Sequence, residues 1–245
     1  MLSDDAKGAL ACALSMMCFG VNDAFIKMVM VRLSVPEAMF VRGVVVSLLM
    51  TSAVVWRRER MPTRAQYRPL AIRTLLDTAG ASCFLLALSN MPQANATAIM
   101  QALPLAIVAA SAALGEHVGR TGWLLVLLGF VGVLIIVRPG LSGFSWGSLA
   151  ALAAISFLAV RDLLTRRLPA GVSSLVTATL ACVANMCFGL ALLPAVGWRP
   201  LHLQEVVGIC VSAAFLSVAY VRRPGTTRRH AIACHPVLSA LPSTL

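Results

Sequence analysis

Residues 8–34, GALACALSMMCFGVNDAFIKMVMVRLS, return in outline as residues 147–173, GSLAALAAISFLAVRDLLTRRLPAGVS. Under that shift of 139 positions Gly8, Leu10, Ala11, Val21, Asp23 and Ser34 fall on Gly147, Leu149, Ala150, Val160, Asp162 and Ser173, and Lys27 falls on Arg166. Two apolar stretches share identities easily. An acid followed four residues later by a base, in both copies, is more telling, because charge in hydrocarbon is costly and seldom idle. A duplicated membrane unit is the common build of secondary transporters.

The rest of the chain has the composition such a unit needs. It is 59% hydrophobic and 12% charged, with a mean hydropathy of +0.87, far more apolar than a single soluble core requires. Stretches of bilayer-spanning length run over residues 8–30, 36–56, 69–90, 92–114, 121–137, 146–164, 172–196 and 201–221. The expected fold is therefore all-α, a polytopic membrane bundle of about eight helices. The first stretch is expected to be a retained helix and not a cleavable leader, since Ser3, Asp4 and Asp5 replace the basic start and Asn22 and Asp23 interrupt the apolar run.

The net charge of +11 has a sidedness. Lys7, Arg57, Arg58, Arg60, Arg64, Arg68, Arg120, Arg161, Arg166 and Arg167 are read at one set of helix ends, and Arg32, Arg138 and Arg199 at the other. The positive-inside rule places the N-terminus and the Arg57–Arg68 loop in the cytoplasm. A nucleic-acid surface would need basic and aromatic residues gathered on one exposed face, and this distribution argues against one. Six cysteines lie in apolar stretches without ligand spacing, and no phosphate loop or nucleophile–base set can be assembled, so neither a cofactor nor an enzyme is expected.

Polar residues inside the helices are the candidate site. Asn22, Asp23 and Lys27 lie in the first helix, with Asp23 and Lys27 at the spacing of an i,i+4 ion pair. Arg42 lies in the second helix, Arg73 and Asp77 repeat the four-residue spacing in the third, and Asp162 is the echo of Asp23. Each such charge costs at least ~2.5–3.5 kcal/mol at the bilayer centre, which favours a place facing the bundle interior or a wet cavity. Snorkelling of Lys27 and Arg42, and purely structural ion pairs, are the competing readings. In the fourth helix Pro104 frees the carbonyl of Met100 and predicts a kink. Asn95, Thr97, Gln101 and Pro104 then make a polar, bent segment suited to a substrate path or, alternatively, to a packing kink. Gly129 and Gly132 in the fifth helix read as close-packing positions.

The stretch NMPQANATAIMQALPLAIVAASAALGEHVGRTGWLLVLLGFVGVLIIVRPG, residues 90–140, resembles the signature half of EamA-domain proteins of the drug/metabolite transporter superfamily. The Met-Pro loop, Leu103-Pro104-Leu105, Leu114-Gly115-Glu116, Trp123 and Arg138-Pro139-Gly140 carry the likeness. FGVNDAFIK at 19–27 is similar to the family's first helix, and Arg42 to the arginine of its second. The resemblance implies two inverted five-helix repeats with both termini cytoplasmic, and movement of small organic metabolites. Asp77 stands where the family pattern has a small or aromatic residue.

On this reading residues 8–140 are a first repeat of helices 1–5 and residues 146–221 a partial second repeat of helices 6–8. Residues 222–245, RRPGTTRRHAIACHPVLSALPSTL, should have continued the second repeat and form instead a basic tail with no span of membrane length. The switch reads as a reading-frame shift near residue 221, with a basic lipid-binding tail as the alternative. The expected function is secondary transport of a small molecule across a bacterial inner membrane, around a cavity bounded by helices 1, 3 and 4 and their counterparts, with Asp23 or Asp77 as the proton-coupling groups. A non-transporting remnant or interaction subunit is the alternative. The small-molecule substrate and the lipid bilayer are the expected partners, and oligomerisation is left open.

Overall fold

The computed structural model describes residues 4–59, 61–115, 119–137, 146–166 and 173–221. Among them run nine helical segments: α1 (Asp4–Val29), α2 (Val35–Trp56), α3 (Arg64–Asn90), α4 (Gln93–Met100), α5 (Leu103–Ala113), α6 (Arg120–Val137), α7 (Trp146–Arg166), α8 (Ser174–Val196) and α9 (Leu203–Val221). Five stretches are long and apolar enough to cross a membrane: Val35–Trp56, Gln66–Asn90, Gln93–Ala113, Trp146–Arg166 and Ser174–Val196. Shorter apolar runs lie in α6 and α9. The tail expected over 222–245 lies outside the described residues.

The fourth expected helix is two segments with one bend. Gln101 and Ala102 form a turn between α4 and α5, closed by bonds from Ala102 N to Ile99 O (3.0 Å) and from Leu105 N to Ala102 O (3.0 Å). The break falls directly after Met100, whose carbonyl the Pro104 ring would otherwise strike. At α3 the expected start at Pro69 needs correction. The helix begins at Arg64, because Gln66 Oε1 accepts from Thr63 N (2.9 Å) and caps an earlier first turn. Leucine 203 opens α9 in the same way, with Glu205 Oε2 accepting from His202 N (2.9 Å).

The helix starts preserve the internal shift. Val35 and Arg64, which open α2 and α3, map by 139 positions onto Ser174 and Leu203, which open α8 and α9. The packing then crosses between copies: α1 lies on α9, α3 on α7 and α2 on α8. Each pair is antiparallel. On α3 and α7, Arg73 meets Thr165, Asp77 meets Arg161 and Gly80 meets Leu158. On α1 and α9, Asn22 meets Ser212 and Val29 meets Gly208. The shift sets α8 in the place of α2, and the two run antiparallel, so equivalent helices point in opposite directions.

Close crossing of α2 and α8 depends on two glycines. A Cβ on Gly43 would lie 2.7 Å from Met186 Cβ, and one on Gly189 would lie 2.7 Å from Phe40 N and 2.9 Å from the Pro36 carbonyl. Gly129 similarly admits Leu105 of α5 against α6, whereas Gly132 has nothing within 4 Å. The apolar core gathers Ile26, Met39, Leu88, Ile99, Ala151 and Ile155 from α1, α2, α3, α4 and α7. A second cluster joins Val46 and Met50 of α2 to Leu175 and Cys182 of α8 and Ala213 of α9.

Candidate functional site

Asp77, 8% exposed on α3, is held by Arg161 of α7, whose Nη1 donates to its Oδ1. The same guanidinium binds Asp162 of its own helix, through Nε (2.9 Å) and Nη2 (2.6 Å) to Oδ1. Two carboxylates thus share one arginine at the α3–α7 contact. Next to them Arg73 donates from Nε to Thr165 Oγ1 (3.0 Å). Asp77 therefore has a partner from across the bundle, 84 positions along the chain, beyond the i−4 residue that the spacing suggested. Arg161, counted among the charges at helix ends, lies in the last two turns of α7 and is committed to an ion pair within the bundle.

A second polar group centres on α1. Asn22, 1% exposed, donates from Nδ2 to Asp23 Oδ1 (2.9 Å) and accepts from Ser212 Oγ of α9 (2.8 Å). Arg42 is half-buried in α2. Lys27 does not take the i−4 acid. Its Nζ donates to the carbonyls of Leu88 and of Met91 (2.8 Å), at the C-terminal end of α3, where unpaired carbonyls and the helix dipole both favour a cation.

The bent segment contributes less than its composition suggested. Asn95 and Gln101 are exposed, Pro104 is half-buried, and Thr97 Oγ1 is taken up by the carbonyls of Gln93 (2.9 Å) and Ala94 (3.1 Å). Gln93 Nε2 does reach across to the Gly20 carbonyl of α1 (3.2 Å), tying the start of α4 to the first helix.

Two residues of consequence were not singled out from sequence. Arg161 is one, and the repeat itself carried the signal: the 139-residue shift places it on Asn22, so a polar group precedes the aspartate in both copies. Glu37 is the other, 1% exposed in the first turn of α2. Its Oε2 accepts from Ser34 N (2.9 Å) and Oγ (2.7 Å), and its Oε1 accepts from Arg199 N (2.6 Å). Arg199 Nη1 in turn donates to the Arg32 carbonyl (3.1 Å), and Trp198 meets Phe40 edge-on at 6.2 Å. The α1–α2 and α8–α9 loops are joined there, which brings Arg32 and Arg199 to one end of the bundle.

The profile of the EamA-like transporter family matches residues 6–138. The chain belongs to that family. As an EamA-family chain it is an integral membrane protein, and the relatives it matches carry transporter names. It is 27% identical over 159 residues to an "Uncharacterized transporter" of Helicobacter pylori, covering 61% of this chain and 53% of that protein. It is 27% identical over 157 residues to the pseudopaline exporter CntI of Pseudomonas aeruginosa, covering 62% and 52%. Over 109 residues it is 29% identical to a riboflavin transporter of Rhizobium johnstonii, covering 44% and 36%. The EamA-family chain thus spans about half the length of the first two of these relatives. A crystal structure of a protein 21% identical to it matches its fold at a TM-score of 0.60, over 94% of this chain and 86% of that one.

Proposed function

We propose that the chain works as a secondary transporter, moving a small organic metabolite across the bacterial inner membrane with its N-terminus in the cytoplasm. Residues 8–140 act as one repeat and residues 146–221 as the start of the other. The substrate path runs between α1, α2, α3 and α7, past Asp23, Arg42, Asp77 and Asp162, with the α4–α5 bend, Asn95, Gln101 and Pro104 along one side. The observation that carries this reading is the Asp77–Arg161–Asp162 group. Charges from the two copies meet at the α3–α7 contact, in two helices apolar enough to span a membrane. Buried ionisable groups of that kind mark ion and substrate pathways, and a contact between repeats is where secondary transporters bind. The transporter names of the matched relatives agree with it.

Reconstitution of the whole chain into liposomes, followed by uptake and efflux of a metabolite panel, tests the proposal. Flux of at least one panel member above that of empty liposomes is expected, with loss on Asp77→Asn. No flux of any member, from protein shown to be inserted and monodisperse, would overturn it.

A further inference from the structure

Glu37 ties the two copies together at one end of the bundle, and its carboxylate is divided between them. Oε2 is held locally, by Ser34 N (2.9 Å) and Ser34 Oγ (2.7 Å), which fixes the direction of the group. Oε1 accepts from Arg199 N (2.6 Å), 162 positions along the chain, in the turn between α8 and α9. Gly197, at a φ of +81° that side chains disfavour, ends α8 and brings Trp198 and Arg199 back over the start of α2. Three further contacts close the same seam. Arg199 Nη1 donates to the Arg32 carbonyl (3.1 Å), Trp198 meets Phe40, and Leu201 packs against the cluster of Val29, Leu33 and Ile209.

At the other end the 139-residue shift repeats the turn and omits the tie. Arg58 falls on Gly197, and it too has a positive φ, +49°. Yet Val176 falls on Glu37, Glu59 on Trp198 and Thr179 on Phe40. Val176 is buried, at 4% exposure, and its side chain offers no acceptor to the N–H of a turn. Thr179 Oγ1 is spent within α8, on the Leu175 carbonyl (2.8 Å). The carboxylate and the aromatic pair that fasten one end therefore have no counterpart at the matching positions of the other.

Resting on the transport reading above, in which inverted copies move against each other, we propose that Glu37 is the latch that holds the Arg32–Arg199 end shut, the outer end in the proposed orientation. The structure is then the outward-closed state. Outward opening lifts the α8–α9 turn off the α1–α2 turn and breaks the contact of Arg199 N with Oε1. The Ser34 contacts, internal to one copy, survive that motion and keep the carboxylate aimed for reclosing. With Val176 in its place at the inner end the bias is one-sided, and a contact made in one state and lost in the other is what shifts such an equilibrium.

The test is pulsed electron–electron double resonance on the whole chain in nanodiscs, with its seven cysteines replaced. One nitroxide pair, at the exposed Val31 and His202, spans the latched end, and a second, at the exposed Met61 and Ser174, spans the opposite end. With Glu37 intact the outer pair should be predominantly at its short distance. Glu37→Ala should lower the ratio of short to long outer distances about tenfold or more, the scale of one hydrogen bond to a charged group, and should shorten the inner distance at the same time. Glu37→Gln keeps an acceptor without the charge and should shift both pairs in the same sense, but less. Ser34→Ala, which removes only the aiming bond from Oγ, should shift them less than Glu37→Ala. A predominantly long outer distance with Glu37 intact would overturn the inference, and that result needs no variant to fold. Lengthening of the outer pair with an unchanged inner pair would overturn it too, since a merely local strap behaves that way. Flux in liposomes with neither pair moved by Glu37→Ala or Glu37→Gln would sink this inference alone. Opposite shifts of the two pairs without flux of any metabolite would sink the transport reading alone.

Discussion

Arg161 stands in α7 where Asn22 stands in α1, and each side chain bonds the aspartate that follows it, at 2.9 Å in both helices. Each also reaches the third helix of the other copy, Asn22 to Ser212 on α9 and Arg161 to Asp77 on α3. One design is thus filled twice, once by a neutral amide with a hydroxyl and once by a cation with a second acid. The neutral version can hold its geometry without charge balance. The charged version cannot, and its energetics are open to direct measurement.

Removing Arg161 leaves two carboxylates facing each other. Arg161→Gln should therefore destabilise the bundle by ~3–5 kcal/mol, the usual cost of breaking a buried pair from one side. Asp162, whose side chain is 28% exposed against 12% for Asp77, should be the dispensable acid. Asp162→Asn leaves a one-to-one pair and should cost about 1 kcal/mol or less. Thermal loss of monodisperse protein, followed by fluorescence-detected size exclusion, reads both. A larger effect from Asp162→Asn than from Asp77→Asn would contradict the geometry.

Lys27 and Asp23 look like a pair in the sequence and are separate in the fold. A double-mutant cycle with Lys27→Met and Asp23→Asn should give a coupling below about 0.5 kcal/mol, the limit for independent sites. The same cycle on Arg161 and Asp77 should exceed it severalfold. Lys27→Met alone should cost ~1.5–3 kcal/mol through the freed α3 carbonyls, and a strong Lys27–Asp23 coupling would show that the pairing at the α3 end is wrong.

Bulk added at Gly43 or Gly189 has nowhere to go, because backbone atoms or a Cβ lie within 3.0 Å of each new Cβ. Gly43→Leu and Gly189→Leu should each cost at least ~1–3 kcal/mol by overpacking and lower the yield of monodisperse protein. Gly132→Leu, with nothing within 4 Å, should be tolerated. Normal yield and stability of Gly43→Leu would refute the close α2–α8 crossing.

Sidedness follows from the loops. Cysteine placed at Arg58 should label from the cytoplasmic side only, and cysteine placed at Trp198, beside Arg199 and Arg32, from the periplasmic side only. Impermeant maleimide applied to intact cells and to inverted vesicles distinguishes the two, and the reverse pattern would invert the proposed orientation.

What the sequence made legible follows from what each inference needed. Apolar length located the helices within a few residues, and the Pro104 kink followed from a missing N–H, both of which are local properties. The repeat was readable because Asp23 and Asp162 kept their register. Pairing was not readable, because a sequence shows only neighbours along one helix. It offered Lys27 to Asp23, whereas the fold supplied Lys27 with a carbonyl 61 positions away, and it could not show that Asp77 meets an arginine 84 positions away. Arg161 was counted among the helix-end charges for the same reason: its proximity to Arg166 and Arg167 outweighed an acid that only the tertiary fold brings near. The polarity of Asn95 and Gln101 indicated a path, but whether an exposed polar face meets a cavity or lipid depends on neighbours that composition does not name.

The crossed packing of the two copies also sets an order in time. Asn22 emerges from the ribosome early, and its buried partner Ser212 lies 190 positions later. At ~5–20 residues per second, synthesis separates them by about 10–40 s. For that interval the Asn22 carbonyl oxygen and the face of α1 meant for α9 wait in a half-built bundle, with only the Asn22–Asp23 bond of α1 itself in place. The packing of α1 cannot be completed as it is made, so α1 has to wait, held by the insertion machinery or by a provisional contact, until α9 has been synthesised. Substitutions that weaken α9 would then appear first as proteins cleared during biogenesis, before any defect in the mature bundle could be observed.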